Sequence, residues 1–158
     1  MLITRPNRAS HSYRQRLAGS RDRVFPLLCP VREVDWAVGW SPALVVSSSG
    51  LVEQDCAFIT PGSPTDAVWY VTRHEPAEYF VEMLRITQGQ TACRLSIRLI
   101  DANEGPCSCL ADVTYMHTSL GPEGDELVAA FTADHYRQFM EQWERELNHY
   151  LTTGGRLA

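Results

Sequence analysis

No stretch of about 18 consecutive apolar residues occurs in the chain, so a membrane-spanning helix is not expected. The first ten residues carry Arg5, Pro6, Asn7 and Arg8 and lack the apolar run of a cleaved leader. Neither common glycine-rich phosphate loop is present, which argues against nucleotide-driven chemistry. Positive charge is short as well: 14 basic residues against 19 acidic ones leave a net charge of −5. Phosphate binding wants clustered cations, so no nucleic-acid partner is expected. Nor is there a basic amphipathic helix, because Glu141, Glu144 and Glu146 accompany Arg137 and Arg145; stable membrane insertion is not expected. Cysteine is sparse and odd in number, at positions 29, 56, 93, 107 and 109, without the spacing of a disulfide framework. That usage fits reduced thiols and a cytoplasmic protein. Cys107-x-Cys109 has no second close pair to complete a tetrahedral set, so no metal is expected, and nothing signals a cofactor.

What is present suits one globular domain over 1–158, with a core from about residue 8 to residue 152. Apolar residues make up 44% of the chain and charged ones 21%, enough for a core that needs no metal or disulfide staple. Arg8–Leu17 alternates as a half-buried strand, with Ala9, His11, Tyr13, Gln15 and Leu17 on one face. Gly19-Ser20 ends it, and Ser20 is placed to cap a short helix over 21–25. Pro26 and Pro30 break that segment, and a second short piece follows over 31–36. Six further strands are predicted over Leu44–Ser49, Asp55–Thr60, Ala67–His74, Tyr79–Thr87, Ala92–Ala102 and Cys107–Ser119. Turn residues separate them, so successive strands should be antiparallel.

In the last hairpin, a turn centred on Glu104 sets Leu99 opposite Cys109, Leu95 opposite Val113 and Cys93 opposite Tyr115. The odd-numbered face is then nearly all apolar. The even-numbered face carries Arg94, Arg98 and Asp112, which implies a sheet with a single buried side. From Gly121-Pro122 to Gly154-Gly155 the spacing of Tyr136, Met140, Trp143, Leu147 and Tyr150 predicts one long helix of about 45 Å.

Strand, two short helices, six antiparallel strands and a long terminal helix are the order of the helix-grip fold. The segment Val24-Phe25-Pro26-Leu27-Leu28-Cys29-Pro30-Val31-Arg32-Glu33, followed by Trp36 and Gly39-Trp40, resembles the corresponding segment of the SRPBCC superfamily. That superfamily includes START-like lipid-transfer domains, birch-pollen-allergen-like proteins and polyketide cyclases. Val68-Trp69-Tyr70-Val71-Thr72 and Trp143-Glu144-Arg145-Glu146-Leu147-Asn148-His149-Tyr150-Leu151 are similar to its bacterial members. The resemblance spans about Arg8 to Leu151. It implies an α+β fold in which a curved antiparallel sheet of about seven strands wraps around a C-terminal helix, often leaving a cavity between them. Ser47-Ser48-Ser49-Gly50 departs from the glycine-rich loop of the plant allergens, and no segment matches the phosphatidylinositol or sterol contacts of eukaryotic transfer domains.

By strand parity His11, Tyr13, Gln15, Tyr115, His117, Cys93 and Cys109 face the interior, and the resemblance makes the first and last strands neighbours. His11, Tyr13, Tyr115 and His117 are therefore the acid–base candidates of a cyclase or aromatase. The same groups serve equally to orient a ligand's polar end, or to satisfy one another in an ordinary core. Phe131, His135 and Phe139 lie at the edge of the helical stripe and Trp40 at a candidate gate. With Tyr13, Tyr115 and His117 they form the expected binding set. Cys29 lacks a neighbouring base in sequence and reads as a small buried hydrophobe. Three functions stay open: a carrier of a hydrophobic or aromatic small molecule or lipid, a cyclase-type enzyme, or an interaction module with a collapsed cavity. No particular protein partner is indicated.

Overall fold

The alternation over Arg8–Leu17 does build a strand with those bounds, β1. A computed structural model describes residues 1–102 and 108–158; the expected turn centre at Glu104 and the Cys107 half of Cys107-x-Cys109 lie outside them. After β1 come a one-turn helix α1 (Arg21–Val24) and two 3-10 turns, Phe25–Leu27 and Arg32–Asp35. The remaining strands are β2 (Leu44–Val46), β3 (Ala57–Thr60), β4 (Ala67–Glu75), β5 (Phe80–Thr87), β6 (Thr91–Asp101) and β7 (Cys109–Ser119). All pair antiparallel in one seven-stranded sheet of order β1-β7-β6-β5-β4-β3-β2. The chain thus has the α+β helix-grip fold.

Two expectations are corrected. The β6–β7 register is displaced by two residues: Leu99 pairs with Ala111, Leu95 with Tyr115 and Cys93 with His117. A slip of two leaves every side chain on its original face, so the alternation fixes parity and is blind to this displacement. The observed register sets Asp112 opposite both Arg98 of β6 and Arg14 of β1, and Arg14 donates to its two carboxylate oxygens at 2.6 and 2.8 Å. The second correction is that the terminal helix is two helices, α2 (Pro122–Ala130) and α3 (Ala133–Thr153). The break has a local cause. The Thr132 hydroxyl accepts from the backbone N–H of His135, capping α3, while Phe131 turns inward. The freed Phe131 carbonyl accepts from Nε2 of His11 at 2.8 Å. At 21 residues α3 is about 30 Å long rather than 45.

The core forms where α3 lies on the β1–β7 side of the sheet. Met140, Leu147 and Leu151 are buried there against Leu17, Ala111 and Val113 in one apolar cluster. Two polar ties fix the helix on the sheet: the Tyr136 hydroxyl donates to the Val113 carbonyl at 2.7 Å, and buried Gln15 donates to the Met140 carbonyl at 3.1 Å. α3 also covers part of the sheet's edge. Glu144 accepts from the Arg16 N–H, and Asn148 both accepts from the Ala18 N–H and donates to the Arg16 carbonyl. Those backbone groups belong to an edge strand and would otherwise be open to another chain.

α2 reaches the β5–β6 turn through a glycine. A Cβ on Gly124 would lie 1.9 Å from the Gln90 carbonyl oxygen, which also accepts from the Leu120 N–H. Gly124→Ala is expected to displace α2 and destabilise the protein by about 1–3 kcal/mol, the usual range for overpacking. Urea denaturation of the two proteins measures it; an unchanged midpoint would mean that α2 docks without this close approach.

Candidate functional site

α3 covers the β1–β7 side of the sheet, and over β3–β6 the concave face meets rings instead. Trp69 of β4 and Phe58 of β3 stack with centroids 5.2 Å apart, and Trp40 packs edge-on to both. Indole hydrogen bonds hold two of these rings in place, Trp40 to the Pro30 carbonyl at 2.8 Å and Trp69 to the Thr60 hydroxyl at 2.9 Å. From the helix side Trp143 packs on buried Trp36, and Phe139 meets Tyr115 edge-on at 5.9 Å. The space between is a cavity of two adjoining compartments, of about 250 and about 430 Å³. Trp40, Trp69, Tyr115 and Phe139 line both. Val38 and Phe139, which line the first compartment, are 52% and 46% exposed, so it opens to solvent between the loop around Val38 and α3.

The first compartment contains two carboxyl groups in different circumstances. Glu146 accepts from the Val38 N–H at 3.0 Å and from Gln142, so its oxygens are satisfied. Glu33, from the second 3-10 turn, has no side-chain partner among the described residues, and burial alone pushes its carboxyl up to about 8. It is half-buried and lines the first compartment. Its effect reaches Tyr115, whose phenol is raised first by burial and to a smaller degree by neighbouring charges that include Glu33. The Tyr115 hydroxyl also lacks a hydrogen-bond partner among the described residues.

The second compartment takes Arg85 and Thr91 from the sheet, His117 from β7, Phe131 from the break between α2 and α3, and His135 from α3. His117 and Cys93 are cross-strand partners, Nε2 to Sγ 3.6 Å. Burial, followed by the neighbouring Arg85 guanidinium, holds the imidazole down to about 4, while burial drives the Cys93 thiol up to about 11. The two shifts move apart, so this is a neutral pair and not a thiolate–imidazolium nucleophile. Cys29, also buried, accepts from the Val52 N–H at 3.1 Å.

The other sequence-derived candidates divide by position. Tyr115, His117, Trp40, Phe131, His135 and Phe139 all line the cavity, His135 from an exposed position. His11 does not: its ring packs on Phe131 and Tyr136, and its Nε2 is engaged by the Phe131 carbonyl. Tyr13 stands outside the cavity lining, beside Glu144 and Glu141 of α3, whose charges add to burial in raising its phenol. Sequence reasoning reads Glu33, with Trp36 and Trp40, as packing or gating the entrance rather than as a binding group, and it missed Arg85 as a cavity group. For Arg85 a signal existed, because Val81 and Met83 set the inward parity of β5 and position 85 continues it.

Two titrations follow. A carboxyl whose pKa is raised on folding destabilises the native state once the unfolded chain ionises, so stability is lost as pH rises from about 4.5 to about 8. Glu33→Gln is expected to gain on the parent across that window, by up to about 1.4 kcal/mol per pH unit. Parallel curves of unfolding free energy against pH would show that Glu33 is ionised in the native protein. The imidazole of His117 is expected to hold constant ring-nitrogen shifts in NMR between pH 8 and pH 5 and to titrate near 4. A midpoint near 6.5 would mean that the ring is solvated.

No protein-family model and no curated protein sequence matches the chain. Solved structures do. Norcoclaurine synthase from Thalictrum flavum, in complex with dopamine and hydroxybenzaldehyde, matches with a TM-score of 0.60 at 11% identity over 92% of this chain and 93% of that one. Ara h 8.0201 matches with a TM-score of 0.63 at 9% identity over 92% and 98%. A Staphylococcus aureus protein of unknown function matches with a TM-score of 0.67 at 8% identity over 94% and 96%. At these identities the likeness concerns the fold, and it is the helix-grip fold of the birch-pollen-allergen type. Among the described residues, no helix is long and apolar enough to cross a membrane.

Proposed function

We propose that this protein is a member of the SRPBCC superfamily that holds an apolar, aromatic small molecule in the two-compartment cavity between sheet and helices. The observation that carries this reading is the cavity wall. Aromatic rings dominate it, two of them fixed by indole hydrogen bonds, and Glu33, Tyr115 and Arg85, whose side chains have no hydrogen-bond partner among the described residues, line the space they enclose. Ligand pockets of roughly 300–1,000 Å³ have this composition, an apolar lining with a few placed polar groups. Affinity would come from apolar area removed from water, at about 25 cal/mol per Å² before association costs. The norcoclaurine synthase neighbour supports the reading by example, since it is seen with two aromatic compounds.

A second reading, an acid–base enzyme of the cyclase type, is favoured by one observation. The Glu33 carboxyl, held near 8, lines a compartment that Tyr115 lines too, and an acid with a pKa close to the working pH is suited to proton transfer. His11 and Tyr13 contribute nothing to it from their positions, and the two open compartments weigh against an interaction module with a collapsed cavity.

Fluorescence titration with 1-aminoanthracene, an apolar probe without formal charge at pH 7, tests the binding reading. A saturable, blue-shifted enhancement at one probe per chain is expected, and Phe139→Ala, a half-exposed ring at the opening, should weaken it about tenfold. A protein that gives no enhancement, and whose melting temperature no member of an aromatic and lipid panel shifts, would rule the reading out.

A further inference from the structure

We infer that the ligand of this cavity is acidic, an apolar molecule whose carboxylate or similar oxyanion seats on Arg85 in the second compartment. The inference rests on the binding reading above and specifies its chemistry.

Arg85 sits inward on β5, opposite Trp69 of β4 on one side and Cys93 of β6 on the other. An arginine on the concave face of a sheet is an expensive choice, because it brings a charge that cannot be discharged by losing a proton. Every basic Lys/Arg position in the chain is an arginine, and five of them, Arg14, Arg21, Arg32, Arg73 and Arg137, are ion-paired to carboxylates at or near the surface. Arg85 has no carboxylate partner among the described residues. Its Nε is buried and has no hydrogen-bond acceptor. Its guanidinium carbon lies 5.3 Å from the centre of the Trp69 ring, a contact that offsets part of the charge but accepts none of the in-plane N–H bonds.

The surroundings repeat the same preference. Among the described residues, no aspartate or glutamate lines the second compartment. Its polar side chains are Arg85, Thr91, Tyr115, His117 and His135, all able to donate a hydrogen bond. The planar guanidinium matches a carboxylate in a fork, with Thr91 and Tyr115 available to a second lone pair. From that end the four rings shared by both compartments offer an apolar path toward the first. A recess with a permanent positive charge and several hydrogen-bond donors thus lies within a chain of net charge −5.

The test is competition against 1-aminoanthracene at pH 7, using 2-naphthoic acid and dodecanoic acid, each beside its methyl ester. The acids are expected to displace the probe at concentrations at least tenfold below those of the esters. Arg85→Met should remove that difference, acids and esters then displacing the probe at similar concentrations. Should Arg85→Met not fold, Arg85→Gln repeats the measurement, and the acid–ester contrast in the parent protein stands without any variant. Acids and esters competing equally in a protein that binds 1-aminoanthracene would overturn the inference and leave the binding reading intact. An absence of probe fluorescence, together with no calorimetric heat from either acid, would remove both.

Discussion

The docking of α3 onto the β1–β7 side of the sheet is the constraint from which the rest follows. Tyr136 and Gln15 tie the helix to the Val113 carbonyl and to β1, and Met140, Leu147 and Leu151 fill the space beneath it. A single helix is about 10 Å across and strands stand about 4.8 Å apart, so one helix covers roughly two strands of a seven-stranded sheet. The inner face of β3–β6 needs another cover. The chain supplies it with the segment carrying the two 3-10 turns and Trp40, and with the rings of Phe139 and Trp143. Rings on loops and helix flanks do not interdigitate with a sheet as a helix ridge does, and the space they leave is the cavity.

The break between α2 and α3 belongs to the same constraint. A continuous helix would carry Phe131 along the α3 axis. Ending α2 there lets the ring turn inward to within 4.4 Å of His117, centroid to centroid, and lets α2 fold back onto the β5–β6 turn through Gly124. His11 stabilises the break by donating its Nε2–H to the freed Phe131 carbonyl, which fixes the proton on that nitrogen. A residue that resembles an acid–base group from sequence is thus consumed by helix geometry. Its neighbour by parity, Tyr13, is turned to the flank of α3.

Much of the architecture was legible because period-2 alternation is a local property. β1 follows its pattern from Arg8 to Leu17, and Tyr115 and His117 face inward as their parity requires. Register is not local: a slip of two preserves every face, and only the charge alignment of Arg14, Arg98 and Asp112 distinguishes the observed pairing. β5 obscured Arg85 because Leu84 and Ile86 on the outer face are apolar too, with Ile86 39% exposed, so neither face looked like the buried one. The burial of Glu33 beside the cavity was illegible for a different reason. A short 3-10 turn has no amphipathic period, and whether its glutamate meets water or a cavity depends on Trp36, Trp143 and α3 packing around it. The Thr132-Ala133-Asp134-His135 cap was readable in principle, but the apolar spacing running across it from Phe131 to Phe139 masked the stop.

Burial sorts the cavity groups into those that can shed charge and those that cannot. Glu33 is held largely protonated at neutral pH, His117 is held neutral and the Cys93 thiol stays a thiol. Each escapes the desolvation cost by adopting its uncharged form. Glu146 retains hydrogen bonds from Val38 and Gln142 that suit a carboxylate. Arg85 alone has neither route, since it stays protonated and no carboxylate of the described residues reaches it. A fold that could have placed an apolar residue between Trp69 and Cys93 instead keeps a permanent cation there. The stability forgone at that position makes sense where an anion from outside the chain completes the site, so the least satisfied side chain of the cavity is also its most informative one.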